Sequence, residues 1–419
     1  MPILTLAWKS LLNRRLTALL TLLSIALSVT LLLGVERLRV EAHTSFTNTL
    51  SGTDLIIGAR GGSAQLLLYS VFRMGSATNN LSWNSYREFA ERPEVAWTIP
   101  LSLGDSHRGY PVLGTNLDYF RYYRYANQRS LELASGRTFD GVHEAVLGAE
   151  VAARLGYALE QEIIIAHGSG AVSFIQHDDQ PFRVVGILQP TGTPVDRTVH
   201  IPLEGWEAIH IGWIGGAPIP GRRITPEQAL TRDLTPKSIT AALVGLESRM
   251  SIFRMQREIN EYRREPLQAI LPGVALQELW SLIGMVERVL LVISGFVVVV
   301  GLVGLLTALL TGIDERRREM AILRSVGARP VHIFGLIIGE AGVLTLLGTS
   351  LGLGLLYLLL LFTQPIAESH FGLFFAIGFP TLVEFAILGA VLLAGLLAGA
   401  IPALRAYRNS LSDGMSVRI

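Results

Sequence analysis

The sequence predicts a membrane protein with four transmembrane α-helices and a large α+β extracytoplasmic domain between helices 1 and 2. Three observations carry this prediction. Of the 419 residues 50% are hydrophobic and only 16% charged, against about one quarter charged in ordinary soluble domains. Four runs are apolar over about 20 residues, the length of helix needed to cross a hydrocarbon core about 30 Å thick. Between the first and second of these runs, strand-like and helix-like segments are separated by polar turns, the pattern of a water-soluble domain. The formal net charge of +1 argues against a nucleic-acid binder, whose contact face is strongly basic. With no cysteine, a disulfide framework, a thiol nucleophile and a thiolate metal site are all excluded.

The first apolar run is Leu16 to Val35. Lys9, Arg14 and Arg15 precede it as in a signal peptide, but the run is too long for an h-region, and VERLRVEAH after it contains no small-x-small cleavage site. It is therefore read as an uncleaved anchor whose helix continues through RLRVEAHTSFTNTL. Strands are expected at Asp54 to Ala59, Glu162 to His167, Ala171 to Gln176, Phe182 to Leu188 and Thr198 to Leu203, each bounded by Gly, Pro, Asp or Ser. Helices are expected at Ser82 to Arg92 and Gly148 to Gly156, with a charged surface helix at Glu247 to Glu265. This order suits an α+β domain better than a doubly wound parallel sheet. Leu276 to Val289 leads into the second membrane run, Val289 to Ile313, with Trp280 suited to the membrane interface. The third run lies within Val331 to Phe362 and carries Glu340; the fourth, about Leu382 to Ile401, carries Glu384 near its start.

Orientation follows from the arginines and lysines at the helix ends, which favour the cytoplasm. They lie before the first run, between the second and third (Arg316, Arg317, Arg318, Arg324, Arg329) and after the fourth (Arg405, Arg408, Arg418), whereas Thr363 to Thr381 has none. Both termini are thus expected in the cytoplasm, and the segment from roughly Glu36 to Leu282 outside it.

Six ionised residues in a row, Asp314 to Glu319, sit directly against the second apolar run. A stop signal accounts for the three arginines. It does not account for EMAILRSVGARP, whose Met320, Leu323 and Val326 fall on one helical face, followed by Gly327 as a C-cap and Pro330 as a new start. A short amphipathic helix on the cytoplasmic surface is expected, lying in the headgroups or facing a cytoplasmic partner.

The outer segment offers little chemistry. GARGGS (Gly58 to Ser63) lacks the GK[ST] of a phosphate loop and reads as a turn. His107, His143, His167, His177, His200 and His210 match no HExxH-type spacing, so ordinary surface or core histidines are the expectation over zinc ligands. His177 to Asp179 reads as a hairpin turn, and no GxSxG elbow occurs. Within the membrane runs, small residues recur at four-residue spacing at Gly335 and Gly339, Gly348 and Gly352, and Gly395 and Gly399, which permits close helix approach within one subunit or between two. Glu340 is an intramembrane acid, read as a structural interhelix bond before a transport group.

The order of parts, with ERRRE followed by apolar residues, Leu-Arg-x-x-Gly-Ala and a third helix, resembles the FtsX/MacB-type permeases of ABC transporters over the whole chain. The motif falls on Glu315, Arg316, Arg317, Arg318 and Glu319, then Met320, Leu323, Arg324, Gly327 and Ala328. Glu144 to Leu159 and Phe182 to Gly205 are similar to the MacB-type periplasmic core domain, and Ala398 to Ser410 to the family's closing pattern, although the tail SLSDGMSVRI departs from the usual ending. The resemblance implies residues 1–35 as a cytoplasmic segment and helix 1, 36–282 as the periplasmic domain, 283–401 as the membrane domain and 402–419 as a cytoplasmic tail.

It further implies a permease in the bacterial inner membrane that is no enzyme itself. GxxxxGK[ST] occurs nowhere in the sequence, so ATP is expected on a separate cytoplasmic ABC ATPase, with no cofactor on this chain. A second permease copy or a paralogue, and a periplasmic adaptor or substrate protein, are the other implied partners. The segment from Glu315 to Ala328 would receive the ATPase's motion and pass it outward, by mechanotransmission, for export or lipoprotein handling. A non-transporting regulator of a cell-wall hydrolase or a ligand sensor of the same architecture is the alternative, and an unrelated membrane receptor or adhesion protein a third reading.

Overall fold

The computed structural model describes residues 15–168, 177–214, 217–218, 224–315, 325, 327–371 and 378–408. It forms two compact units, His43–Leu282 and the combination of Met1–Ala42 with Ile283–Ile419. The described helices are α1 (Arg15–Asn48), α2 (Ser63–Ser70), α3 (Trp83–Ala90), α4 (Asp118–Tyr122), α5 (Ala149–Leu155), α6 (Leu203–Ile209), α7 (Pro226–Leu230), α8 (Ile252–Asn260), α9 (Pro272–Glu315), α10 (Pro330–Phe371) and α11 (Leu382–Arg408).

The unit His43–Leu282 is built on one mixed sheet. Its strands, among the described residues, are β1 (Leu55–Ala59), β2 (Val95–His107), β3 (Tyr110–Thr115), β4 (Leu133–Gly136), β5 (Glu144–Leu147), β6 (Glu162–Ile163), β7 (Phe182–Leu188), β8 (Val199–Pro202), β9 (Ala241–Leu246) and β10 (Leu267–Ile270). They run in the spatial order β10-β1-β9-β2-β3-β8-β5-β7-β4, with β6 beside β7. All pairs are antiparallel except β5 with β7 and β3 with β8. The architecture is therefore the α+β domain that the mixed element order predicts.

Strand β2 joins the two halves of the sheet. Val95 to Leu101 pair with β9, and Ser102 to His107 pair with β3. The register shifts between Leu103 and Ser106, where Gly104 adopts φ 148°. Such an irregularity re-aims the side chains that follow it, and Asp105, Ser106 and His107 are all buried in succession. Above and below the sheet, α2, α3, α5, α6 and α8 cover apolar strand faces.

Local chemistry explains most of these elements. Helix α3 starts where Ser82 Oγ accepts the Ser85 N–H, and α5 ends at Gly156 with φ 69°, a left-handed conformation that glycine tolerates best. Helix α8 buries Met255 and Ile259. It is shorter than expected because a 3₁₀ turn, Arg249–Ser251, precedes it and the Asn260 side chain accepts the Ala269 N–H at 2.8 Å, turning the chain into β10. The expected strand Glu162 to His167 stops at Ile163; Ala166 makes only an isolated bridge to Ser106. Ala171 to Gln176 lies outside the described residues. Between β7 and β8, Asp196 accepts from Thr191 N, Thr191 Oγ1 and Gly192 N at 2.8 Å and fixes the loop PTGTPVDR. At the head of β5, Glu144 accepts two bonds from Arg137 (2.7 and 2.8 Å), one from Arg183 (3.2 Å) and two from the Asp140 and Gly141 amides (2.9 and 3.1 Å).

In the other unit, α1, α9, α10 and α11 are each long and apolar enough to cross a membrane. Helix α9 is continuous from Pro272, a proline at the helix start where its missing N–H costs nothing, so the stretch Leu276 to Val289 and the second membrane run form one helix. Helix α10 likewise persists to Phe371, so the connection expected from Thr363 is shorter than the sequence suggests. All four helices contribute to one buried cluster, including Val29, Leu33, Leu305, Leu344, Leu356 and Val391.

Candidate functional site

Both flanks of the predicted coupling segment are described. Arg316, Arg317, Arg318, Glu319, Met320, Leu323 and Arg324 lie outside the described residues, as does Val326. Glu315 is the last residue of α9, and Ser325 is helical and exposed. Gly327 then adopts φ 103°, a conformation strained for any other residue, and Ala328 is half-buried before Pro330 opens α10. The new helix is capped by His332, whose Nδ1 accepts the Arg329 N–H at 3.0 Å. Ile313, just before the segment, packs with Ile333 and Ile337 of α10 and with Ala403 and Ala406 of α11. The two ends of the segment are therefore anchored in the same small core.

The glycine spacings resolve into interhelical seams. A Cβ on Gly352 would meet the Ala26 carbonyl at 2.7 Å and Val29 Cβ at 2.8 Å, and one on Gly348 would meet Ile25 at 2.7 Å. Thr30 Oγ1 donates to the Gly352 carbonyl at 2.9 Å across the same seam, and Ser28 Oγ donates to Val297 O at 3.0 Å, tying α1 to α10 and α9. Gly395 and Gly399 of α11 lie against Thr345 and Ala341 of α10. Four of the six glycines thus serve packing inside one subunit, where close backbone approach strengthens dispersion contacts and polar bonds. Gly339 has no neighbour within 4 Å of an added Cβ.

Glu340 is buried within α10. A second buried acid has a fully described setting. Glu384 and Thr381 cap α11 reciprocally, with Glu384 Oε2 accepting Thr381 N at 2.8 Å and Thr381 Oγ1 accepting Glu384 N at 3.2 Å. Arg37 of α1 lies 3.9 Å from Glu384 Oε1, both side chains being buried, and donates to Gly378 O at 2.8 Å. The same carbonyl accepts Tyr357 Oη at 2.7 Å, and the guanidinium lies 5.2 Å from the Tyr357 ring centre. Sequence reading notes Glu384 but not this network. The T-x-x-E spacing signals the cap, and Arg37, alone with Glu36 and Arg39 at the end of an apolar run, signals an expensive charge in need of a partner.

Apart from His43, the histidines of the outer unit separate into two groups. His107 bonds Ile164 O and Tyr157 Oη at 2.7 and 3.0 Å, His143 bonds Gln180 at 2.5 Å, and His200 faces Val146 O at 3.2 Å beneath Tyr119 and Phe120. These are the structural histidines that their spacing predicts. His167, His177 and His210 instead converge on Asp105, which no motif signals. His177 opens the expected turn but is fully buried, so the turn is pinned inward. Burial pushes the His177 imidazole down to about 4, with Asp105 pulling the other way. Burial also opposes ionisation of Asp105, yet hydrogen bonds from His167 and His210 hold its carboxyl well below the usual range.

Comparison with known proteins places these features. A family model for the MacB-like periplasmic core domain matches residues 18–259, more than half the chain, and one for the FtsX-like permease C-terminal region matches residues 291–411. The macrolide export ATP-binding/permease protein MacB of Azoarcus sp. (strain BH72) is 23% identical over 93% of this chain and 55% of its own length. MacB 2 of Aeromonas hydrophila subsp. hydrophila is 24% identical over 75% of this chain and 44% of its own. The chain thus spans about half the length of the curated relatives it matches. Among solved structures, the periplasmic region of MacB from Actinobacillus actinomycetemcomitans is similar at 11% identity with a TM-score of 0.34, covering 55% of this chain and 94% of that one. With its four apolar helices, its α+β insertion between the first and second, and both family models matched in order, the chain belongs to the FtsX/MacB-type permeases.

Proposed function

We propose that the chain is the permease of an ABC transporter and transmits ATP-driven motion from a separate cytoplasmic ATPase to the extracytoplasmic domain. The observation that carries this reading is the shared core at the two ends of the coupling segment. Ile313 of α9, Ile333 and Ile337 of α10 and Ala403 and Ala406 of α11 pack together, so a displacement of Glu315 to Ala328 is carried by α9 and α10 as a pair. Packed cores of this kind shift as blocks. Helix α9 itself runs without interruption from Pro272 to Glu315, about 65 Å at 1.5 Å per residue, and it begins directly after sheet strand β10.

On this reading the arginines of the segment lie in the cytoplasm with both termini, and ATP is bound and hydrolysed by the partner. The permease works as two copies. Its substrate is an exported molecule or an envelope lipoprotein, handled by the outer domain. The relatives' names, which join ATP binding to macrolide export, support the class of machine and leave the substrate to experiment.

The decisive experiment compares the wild type with the triple reversal Arg316→Glu, Arg317→Glu and Arg318→Glu and with Gly327→Pro, which demands φ near −65° where the structure has 103°. Expected is normal membrane insertion together with at least a tenfold fall in ATPase co-purification or in permease-dependent ATP hydrolysis. Full recruitment and full coupled hydrolysis in both variants would overturn the assignment.

A further inference from the structure

The outer domain gathers residues that are far apart in sequence into one polar cluster. Asp105 follows the Gly104 irregularity in β2, His167 lies just past the Ala166 bridge, His177 opens the turn before β7, and His210 caps the C-terminus of α6. Asp105 Oδ1 is 3.0 Å from His167 Nδ1, and its Oδ2 is 3.3 Å from His210 Nε2 and 3.8 Å from His177 Nε2. One ligand atom from each residue lies within 4.8 Å of all the others.

Ring geometry favours convergence on a point. The three imidazole centroids are 5.3, 5.5 and 5.9 Å apart, with planes crossed at 69 to 79°. Three imidazoles bound tetrahedrally at about 2.0–2.1 Å to one ion would place their centroids about 5 Å apart. His210 Nδ1 donates to Trp206 O at 2.8 Å. That bond fixes the tautomer and leaves Nε2 facing the cluster, the usual second contact of a metal-bound histidine. Neither ring nitrogen of the fully buried His177 completes a hydrogen bond, although the Ile209 carbonyl lies near enough to favour a proton on the ring.

Charge gives a second reason. Asp105 is buried, and a carboxylate at that depth requires a positive partner. Among the described residues its ion-pair partners are these three imidazoles and no lysine or arginine. We propose that Asp105, His167, His177 and His210 bind one divalent transition-metal ion of the zinc class on the outer domain. Three nitrogens and one carboxylate oxygen suit zinc and its neighbours, whereas calcium and magnesium need more oxygens than the cluster offers. The bound ion crosslinks β2, the β6–β7 connection and the end of α6. The Trp213 ring, 4.3 Å from His177 and 5.0 Å from His167, walls the site and reports on it. This inference does not depend on what the membrane helices transport.

The test uses the full chain in detergent, stripped with chelator, dialysed and titrated with Zn²⁺ against a chromophoric competitor, with bound metal counted by mass spectrometry. Expected are one Zn²⁺ per chain, a change in tryptophan fluorescence, a raised thermal transition, and the intense visible bands of tetrahedral Co²⁺ on substitution. Asp105→Asn and, separately, the part-exposed His167→Ala should each weaken Zn²⁺ binding by about 100-fold or more, while His332→Ala in the membrane unit should not. Because Asp105→Asn alters a buried group, His167→Ala decides the matter if the former misfolds. Equal Zn²⁺ uptake by wild type and a folded His167→Ala chain would overturn the proposal. So would an equal thermal shift from Ca²⁺, or no uptake by the wild type, the result expected of an imidazolium paired with Asp105 and nothing more.

Discussion

The buried pair Arg37–Glu384 gives the most quantitative expectation for the membrane unit. At 3.9 Å, unit charges in an effective dielectric near 20 attract by about 4 kcal/mol, and the desolvation of both ions opposes most of that. Removing one partner takes away that attraction, while Arg37 keeps its bond to Gly378 O and its contact with the Tyr357 ring. Glu384→Gln, which keeps the side-chain shape at the α11 cap, should therefore cost about 3 kcal/mol. Arg37→Met should cost about as much, since it also removes the donor to the Gly378 carbonyl. The double variant should fall well short of the sum, with a coupling of roughly 1–3 kcal/mol. Mixed-micelle unfolding of the full chain, followed by circular dichroism, measures all four corners of the cycle. If the double variant equals the sum of the singles within about 0.5 kcal/mol, the two charges do not act on one another and the network is a coincidence of packing.

Two further outcomes follow from the same style of reasoning. Gly352→Val places a side chain where Ala26 O and Val29 already stand, so it should cost about 1–3 kcal/mol by overpacking, while Gly339→Val, with open space around it, should cost far less in the same unfolding assay; equal effects would reject the assignment of the α1–α10 seam. In the outer domain, Arg137 first, then the Asp140 and Gly141 amides and Arg183, hold the Glu144 carboxyl below its ordinary value of 4.5. A depressed carboxyl contributes stability that is complete above its unfolded value and is lost as pH falls through the folded one. Glu144→Gln should therefore lower the unfolding free energy read from urea titration at pH 7 by about 1–3 kcal/mol for charge-assisted bonds, and the gap to wild type should close progressively below about pH 4.5; a gap independent of pH would show that charge is not the source.

Much of the fold is legible because hydrophobic length is a strong signal. The four apolar runs are four helices, and Phe182 to Leu188, Asp54 to Ala59 and the capped helix at Ser82 stand where β-branched runs and cap residues place them. The strands that sequence reading misses fail for identifiable reasons. Val95 to His107 contains Pro100 and Gly104, which usually break strands; here the register shift absorbs Gly104, and Pro100 sits where Thr115 Oγ1 bonds its carbonyl at 2.8 Å. Ala241 to Leu246 has no alternation because it is buried on both faces between β1 and β2. The metal cluster is invisible for a different reason. Its four residues are brought together by strand order and not by spacing, and a motif search reads spacing alone.

Those misses share a physical cause that bears on function. A sequence is easy to read where local preference and tertiary structure agree, and the places where they conflict are held by the rest of the fold. Gly104 interrupts the longest strand, and the next residue is the buried Asp105 on which three imidazoles converge. Gly327 takes φ 103° between two helices whose ends share the Ile313–Ile333–Ala403 core, a capping conformation that glycine adopts without the strain any other residue would carry. Arg37 and Glu384 bury two charges near the ends of apolar runs and secure them through one cap and one carbonyl. On the readings proposed above, the first of these sites holds a ligand and the second passes on motion, so each restricts what can replace it. Gly339, with open space around an added Cβ, should tolerate replacement far better, so the three sites are where loss of function is expected to separate from loss of fold.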